Sequence, residues 1–190
     1  MSEVLVTVFH QGTVISMERS GKHSESVFGG PFEGTVSTNG GLRKPLHHVA
    51  TISRAEVKAL EALWVWEVPL IYGFSYSGCE LIYTFEQSNS VVESLQPGEP
   101  EEGWPYPHYP ELLPYIPLEV CCIRQESWEA FRRSVRNLPS QQPTEMVVLV
   151  PPPATIGQSL WGRTGDAEGV TVVFECSLSN KRIHAYNVCS

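Results

Sequence analysis

The sequence has no long hydrophobic run, and this absence excludes a membrane-spanning helix. Nowhere in its 190 residues do roughly eighteen apolar residues follow one another, the minimum that predicts a helical span. The first twelve residues also lack the basic region of a secretory signal, and their short apolar stretch is typical of a strand. We therefore expect a cytoplasmic protein.

Basic residues are too few for a non-specific nucleic-acid-binding protein. The sequence has 13 Lys and Arg against 21 Asp and Glu, and its formal net charge is −8. A protein that binds the phosphate backbone does so by neutralising it with Lys and Arg. The acidic balance instead favours solubility, or a protein partner with a basic surface.

Paired metal-binding motifs are also missing. The sequence contains no C-x-x-C, H-x-x-H or H-E-x-x-H, and the adjacent His47 and His48 would point to opposite faces of an extended chain. We therefore predict neither a metal nor another cofactor, although the spacing leaves open a zinc site built from distant residues. The five cysteines are odd in number and lie mostly in apolar segments, so we expect reduced, buried thiols. They are Cys79, Cys121, Cys122, Cys176 and Cys189.

Two segments approach catalytic motifs without completing them. Residues 157–164 match a phosphate-binding loop, except that Arg163 replaces the lysine and no helix follows. Residues 73–77 match a nucleophile elbow, except that Ser77 stands where a glycine is required. We interpret the first as a surface turn and the second as part of a hairpin.

The sequence is rich in short β-branched and aromatic runs that are separated by turn residues. Such runs predict strands paired as hairpins. The predicted hairpins join residues 4–9 to 13–17, 68–76 to 80–85, and 170–176 to 182–188. A buried strand over 117–124, another over 145–150 and one short strand around Thr35 to Ser37 complete the set.

Two segments have helical periodicity. The first, about 53–66, begins with Ser53 and Glu56 at the spacing of a capping box. The second, 127–138, begins at Ser127 and places apolar residues on one face. The sequence therefore predicts a single α+β domain over 1–190: a largely antiparallel sheet built from hairpins, with both amphipathic helices packed on it. Long loops are expected at 19–48 and 88–117.

The proline-rich segment 103–117 is the strongest candidate for a binding surface. Aromatic residues alternate there with prolines, which lower the entropy lost on ordering while Trp and Tyr supply contact area. Two preceding acids favour a basic partner. The predicted partner-binding residues are Trp104, Tyr106, His108, Tyr109, Tyr115, Glu101 and Glu102. The alternative is that the segment packs on its own core through Leu112, Leu113 and Ile116.

These observations favour a non-enzymatic, cytoplasmic protein-binding module. One form would be an inhibitor or immunity-type protein that neutralises a toxin or defence enzyme. A first alternative is a hydrolytic enzyme of unfamiliar type that uses acids and loop histidines. Its candidate histidines are His10, His47, His48 and His108. A second alternative is a small-molecule-binding protein, whose aromatic pocket residues are equally suited to a core. They are Trp64, Trp66, Tyr72, Phe74 and Tyr76.

Overall fold

The fold is dominated by β-structure. The computed structural model describes residues 3–38, 45–57, 66–76, 78–86, 89–98, 112–135, 138–141, 145–153 and 170–189. Within these residues the chain forms twelve strands and one short helix. None of the described helical structure is long and apolar enough to cross a membrane.

The strands follow the short β-branched runs of the sequence. They are β1 (Val4–His10), β2 (Thr13–Arg19), β3 (Val27–Phe28), β4 (Thr35–Thr38), β5 (His47–Ser53), β6 (Glu67–Tyr72), β7 (Cys79–Glu86), β8 (Asn89–Pro97), β9 (Ile116–Gln125), β10 (Met146–Val150), β11 (Val170–Ser177) and β12 (Arg182–Cys189). The helix α1 spans Trp128–Arg133.

The strands form one mixed sheet in the order β4-β8-β7-β12-β11-β10-β1-β2-β9-β3-β5-β6. Neighbours are antiparallel except β4 and β8, which are parallel. Five pairings, β1–β2, β5–β6, β7–β8, β10–β11 and β11–β12, join strands that are consecutive in the chain. The remaining pairings join distant parts of the sequence.

The core lies on both faces of the sheet. The larger cluster includes buried side chains from most of the strands. The smaller cluster lies under α1, where the Phe9 ring contacts Trp128 at 5.2 Å and Phe131 at 4.9 Å between centroids. Burying such aromatic side chains is a major source of stability because they remove large apolar areas from water.

Side chains also connect strands near opposite ends of the order. The Tyr72 hydroxyl, at the end of β6, donates to the Asn187 side chain of β12 at 2.8 Å. The same hydroxyl accepts a hydrogen bond from the Cys79 amide, at the start of β7, at 3.2 Å. The sheet therefore curls, so that β6 lies beside β7 and β12.

The prediction of an α+β domain with two amphipathic helices is wrong. At 53–66, Ser53 is the last residue of β5, residues 54–57 form a turn, and Trp66 is not helical; residues 58–65 lie outside the described part. The presumed capping box fails because its side chains bond elsewhere: Ser53 donates to Glu25, and Glu56 accepts from Ser24 and Ser26.

The second predicted helix, 127–138, is much shorter than expected. Ser127 does cap it, since its hydroxyl accepts a hydrogen bond from the Ala130 amide at 3.3 Å. However, α1 has only six residues, and Trp128 and Phe131 are its buried positions. One short helix on a large sheet gives a β-dominated fold.

The hairpin predictions had mixed outcomes. The first and third are confirmed as β1–β2 and β11–β12. The second is wrong, because β6 pairs with β5, and β7 pairs with β8 and β12. The short strand expected around Thr35 to Ser37 is confirmed as β4. The rest of 19–48, expected as a loop, also contains β3 and the start of β5, and 88–117 contains β8 and the start of β9. The single-domain organisation stays a prediction.

Candidate binding cleft

A cleft of about 280 Å³ lies on the outer face of β3, β5 and β6. Its floor contains Val27, Thr51 and Pro69, which are cross-strand neighbours in the three strands. We call it the acidic cleft. The opposite face of the same strands carries the buried Ala50, Ile52 and Leu70, so the cleft lies on a rigid support.

Two glycines position the rim of this cleft. Gly29 and Gly30 have φ of +63° and +76°, which L side chains rarely adopt. The Gly30 amide donates to the Leu113 carbonyl at 2.8 Å. A Cβ at Gly29 would overlap the Pro114 carbonyl oxygen, and one at Gly30 would lie 2.7 Å from Tyr115 Cδ2. The chain at Gly29 and Gly30 therefore crosses residues 113–115 in close contact, and this glycine crossing holds Tyr115 at the cleft.

The charge of the cleft is negative. Glu25, Glu33 and Glu67 line it and are exposed, whereas its described lining contains neither Lys nor Arg. The remaining titratable groups of the described lining are His23, His48 and the Tyr115 hydroxyl. Such a concentration of one sign attracts cationic groups of a partner.

His48 adds no positive charge to the cleft at neutral pH. It is 7% exposed, and its Nε2 lies 2.8 Å from the Thr51 hydroxyl. Burial lowers the pKa of His48, and the backbone polar groups of Gly30, Gly29 and Ala50 oppose this effect only in part. The imidazole is therefore neutral at neutral pH.

A network of serine hydrogen bonds connects the cleft residues Ser24 and Glu25 to the buried Ser26 and Ser53. The Ser26 hydroxyl donates to Glu56 at 2.7 Å and accepts a hydrogen bond from the Ser53 amide at 2.8 Å. The Ser53 hydroxyl donates in turn to Glu25 at 2.9 Å, and Ser24 donates to Glu56 at 3.0 Å. These bonds tie the chain before β3 to the end of β5 and orient Glu25.

Of the predicted partner-binding residues, the structure describes Tyr115. It is 54% exposed and lines the acidic cleft. Near it in the chain, Leu112 is 58% exposed, whereas Leu113 and Ile116 are buried. The others lie outside the described residues: Glu101, Glu102, Trp104, Tyr106, His108 and Tyr109.

The histidines of the hydrolase alternative do not form a common site within the described residues. His10 Nδ1 lies 3.0 Å from the Glu145 carbonyl beside β10, whereas the His47 ring contacts Phe74 in the core at 5.7 Å. His48 lies apart in the acidic cleft, and His108 is not among the described residues. No described group of three or more His, Cys, Asp or Glu has a metal-binding arrangement.

The aromatic residues proposed for a small-molecule pocket are mostly packed. Tyr72 and Phe74 are each 3% exposed and contact each other edge to face at 5.0 Å, so they belong to the core. Tyr76 packs partly buried against the same core. Trp66 is 62% exposed, with the Arg54 guanidinium over its ring. Trp64 lies outside the described part of the chain.

Sequence reasoning named Tyr115 and His48 but missed the three glutamates of the acidic cleft. Glu25, Glu33 and Glu67 come from separate parts of the chain, and no spacing connects them with each other or with His48. The available signal was the glycine pair at 29–30 inside a long polar segment, since such segments are often functional.

Comparisons with known proteins leave the cleft without a precedent. No family model matches the sequence, and no curated protein or solved structure is significantly similar to it. We therefore infer function from the geometry and charge of the described surface.

Proposed function

We propose that this protein is a non-enzymatic protein-binding module that uses the acidic cleft and its apolar rim. The observation that supports this function is that Tyr115, 54% exposed, lines the cleft together with three exposed glutamates; Leu112, three residues earlier in the chain, is 58% exposed. Large apolar side chains that are exposed beside charged groups gain stability when a partner covers them. Tyrosine is also enriched among residues that dominate binding energy.

The cleft is small. Its volume of about 280 Å³ lies at the lower limit of the roughly 300–1,000 Å³ of typical small-molecule sites. A cavity of that size suits one inserted side chain. The rest of the binding area would come from Tyr115 at the cleft and from the exposed Leu112, three residues before it in the chain.

The charge of the cleft favours a partner with a basic surface. Glu25, Glu33 and Glu67 face solvent, and the whole chain carries a formal charge of −8. Complementary charge increases the rate of association and penalises acidic competitors. An inhibitor or immunity-type protein is the specific form we propose, in which this surface covers a basic site of a toxin or defence enzyme.

We also place this function in the cytoplasm. The four cysteines whose side chains are described, Cys79, Cys121, Cys122 and Cys176, are free thiols, and Cys121 and Cys122 are exposed. Exposed free thiols are compatible with a reducing compartment and poorly suited to an oxidising one.

Affinity capture from the host lysate, followed by calorimetry with the purified partner, tests the function. The double variant Leu112→Ser/Tyr115→Ala should lose at least about tenfold in affinity, roughly 1.4 kcal/mol. Val91→Ser is the matched control, because Val91 is 41% exposed on β8 and does not line the cleft. Equal affinity of the double variant and the wild type would refute the proposed surface.

A second arm tests the role of charge. The isosteric variant Glu33→Gln/Glu67→Gln should slow association at low salt and leave the fold intact, because both side chains are exposed. The difference from the wild type should shrink at high ionic strength, since salt screens exposed charges. Association rates that do not respond to either change would exclude a basic partner at this cleft.

A further inference from the structure

Strand β9 is paired unequally on its two sides. On one side it pairs with β2 from Leu118 to Gln125. On the other side it pairs with β3 only at Ile116 and Pro117, and the next hydrogen bond runs from the Leu118 amide to the Ser26 carbonyl at 2.9 Å. Beyond that bond, no described residue pairs with this edge. Within the part of the chain that the structure describes, the backbone donors and acceptors of 119–125 that face away from β2 are therefore unpaired.

The open part of β9 is exposed and carries little charge. All five residues from Cys121 to Gln125 are exposed, and Ile123 is 62% exposed. Arg124 is the one charged residue within 120–125. Proteins usually protect such an edge with lysine, proline or a covering segment, because an unpaired edge accepts a further strand. The expectation that this strand is buried is wrong for its second half.

The register of β9 contains an irregularity that limits the available length. Ser16 is opposite Cys122, whereas Met17 is opposite Val120, so Cys121 is an extra residue, as in a β-bulge. A bulge bends the strand and interrupts regular pairing. The part that can accept a regular strand is therefore the short segment 122–125.

A groove runs beside this edge. It has a volume of about 360 Å³, and β9 supplies Leu118, Glu119, Val120 and Ile123 to it. The rest of its wall is formed by the chain after β2 and by the turn after β5. Its residues include Ser20, Lys22, Ser24, Ala55 and Glu56. An extended chain in this groove would have backbone groups on one side and apolar side chains on the other.

We propose that the groove binds an extended segment of another protein, which adds to β9 as a further strand. Main-chain hydrogen bonds to 122–125 supply affinity, and alternate apolar side chains of the segment cover the half-buried Val120 and the exposed Ile123. The segment recognised is a short stretch in which apolar and polar residues alternate. This second surface does not depend on the function proposed for the acidic cleft.

The shape of the groove favours a single extended chain over a second copy of this protein. The wall at Ala55 and Glu56 faces β9 across the groove. A second copy that paired through its own β9 would bring the same wall with it, and the two walls would compete for one space. Two copies would also join chains of formal charge −8 each.

The test uses three peptides that are acetylated at one end, amidated at the other, and flanked by lysines. The first alternates Val and Thr, the second Ile and Ser, and the third Leu and Thr. We expect at least one to cause saturable shifts of the amide resonances of residues 121–125, with a Kd of about 0.1–1 mM. N-methylation of alternate residues along one peptide edge should weaken binding at least about tenfold. N-methylation along the other edge should have no effect, since those groups face away from β9.

Variants of the protein provide the matched controls. Ile123→Lys places a charge on the open edge and should weaken binding by about tenfold or more. Val91→Lys, also at an exposed strand position, should bind as the wild type does, and Tyr115→Ala should too. Unchanged shifts of remote resonances confirm that each variant is folded.

Three outcomes would overturn the proposal. The first is the absence of saturable shifts with all three peptides at about 5 mM. The second is equal binding by both N-methylated series, which indicates contact through side chains alone. The third is a wild-type dimer that Ile123→Lys converts to a monomer, which would assign the edge to a second copy.

Discussion

The hydroxyl of Tyr83 accepts a hydrogen bond from the Ile71 amide at 3.0 Å and donates to the Pro69 carbonyl at 2.8 Å. Tyr83 lies in β7, whereas Pro69 and Ile71 lie in β6, near the other end of the strand order. Strand β5 pairs with one edge of β6. On the opposite edge of β6, the Tyr83 hydroxyl supplies the hydrogen bonds that a neighbouring strand would otherwise supply. Burial raises the pKa of Tyr83 well above its usual value, which keeps the donor protonated.

Removing this hydroxyl should destabilise the sheet. Tyr83→Phe keeps the ring and leaves the Ile71 amide and the Pro69 carbonyl without their partner. We expect a loss of about 1–3 kcal/mol in the free energy of unfolding, the cost of unsatisfied buried polar groups. Urea denaturation measures the change, and Tyr115→Phe at an exposed position is the control. A loss no larger than that of the control would show that the bond contributes nothing.

The glycine crossing at the cleft should be sensitive to a single methyl group. Gly29→Ala combines a positive φ of +63° with overlap on the Pro114 carbonyl, so we expect a loss of about 2–4 kcal/mol. Gly21→Ala is the matched control, because a Cβ there meets nothing within 4 Å and its φ is not positive. Thermal unfolding of the two variants compares them directly, and equal melting temperatures would contradict the crossing.

His48 should make stability depend on pH. Its pKa is lowered in the folded protein from the usual 6.5, so between the two values the unfolded chain binds more protons. The free energy of unfolding should therefore fall as the pH drops below about 6.5, with a slope of up to about 1.4 kcal/mol per pH unit. Denaturation at a series of pH values measures this slope. In His48→Gln the profile should be flatter; identical slopes would assign the effect to other groups.

The cysteines should differ in reactivity according to burial. Cys121 and Cys122 are exposed and should be alkylated by iodoacetamide in the native protein. Cys121 should react slowly for an exposed thiol, because partial burial and the nearby Glu18 raise its pKa. Burial raises the pKa of Cys79 to about 11 and also raises that of Cys176. Both should react only after unfolding, and mass spectrometry of the labelled peptides would reveal early modification at either.

Strands with strong local signals were predictable. The segments that became β11 and β12 alternate apolar and polar residues around a turn, and β1 and β2 flank Gln11 and Gly12. Gln11 and Gly12 both have positive φ, which is the backbone conformation that a two-residue hairpin turn requires. Ser127 predicted a helix start correctly because an N-cap depends on neighbours three residues away.

Elements that depend on distant partners were not predictable. The side chains of Ser53 and Glu56 have the spacing of a capping box, but they bond to Glu25, Ser24 and Ser26. β6 was expected to pair with β7, its neighbour in the chain, and pairs instead with β5. Backbone groups are chemically alike in every strand, so the choice of partner depends on packing across the whole sheet.

The candidate surfaces also divide into features that the sequence determines locally and features that depend on the tertiary structure. The sequence by itself determined the acidic balance, the proline-rich segment with Tyr115, and most of the strand positions, because composition and periodicity are local properties. Only the tertiary structure brought Glu25, Glu33, His48 and Glu67 around one cleft and left β9 open beyond Leu118. A cleft and an open edge are relations between distant segments, and these relations exist only when the sheet has formed.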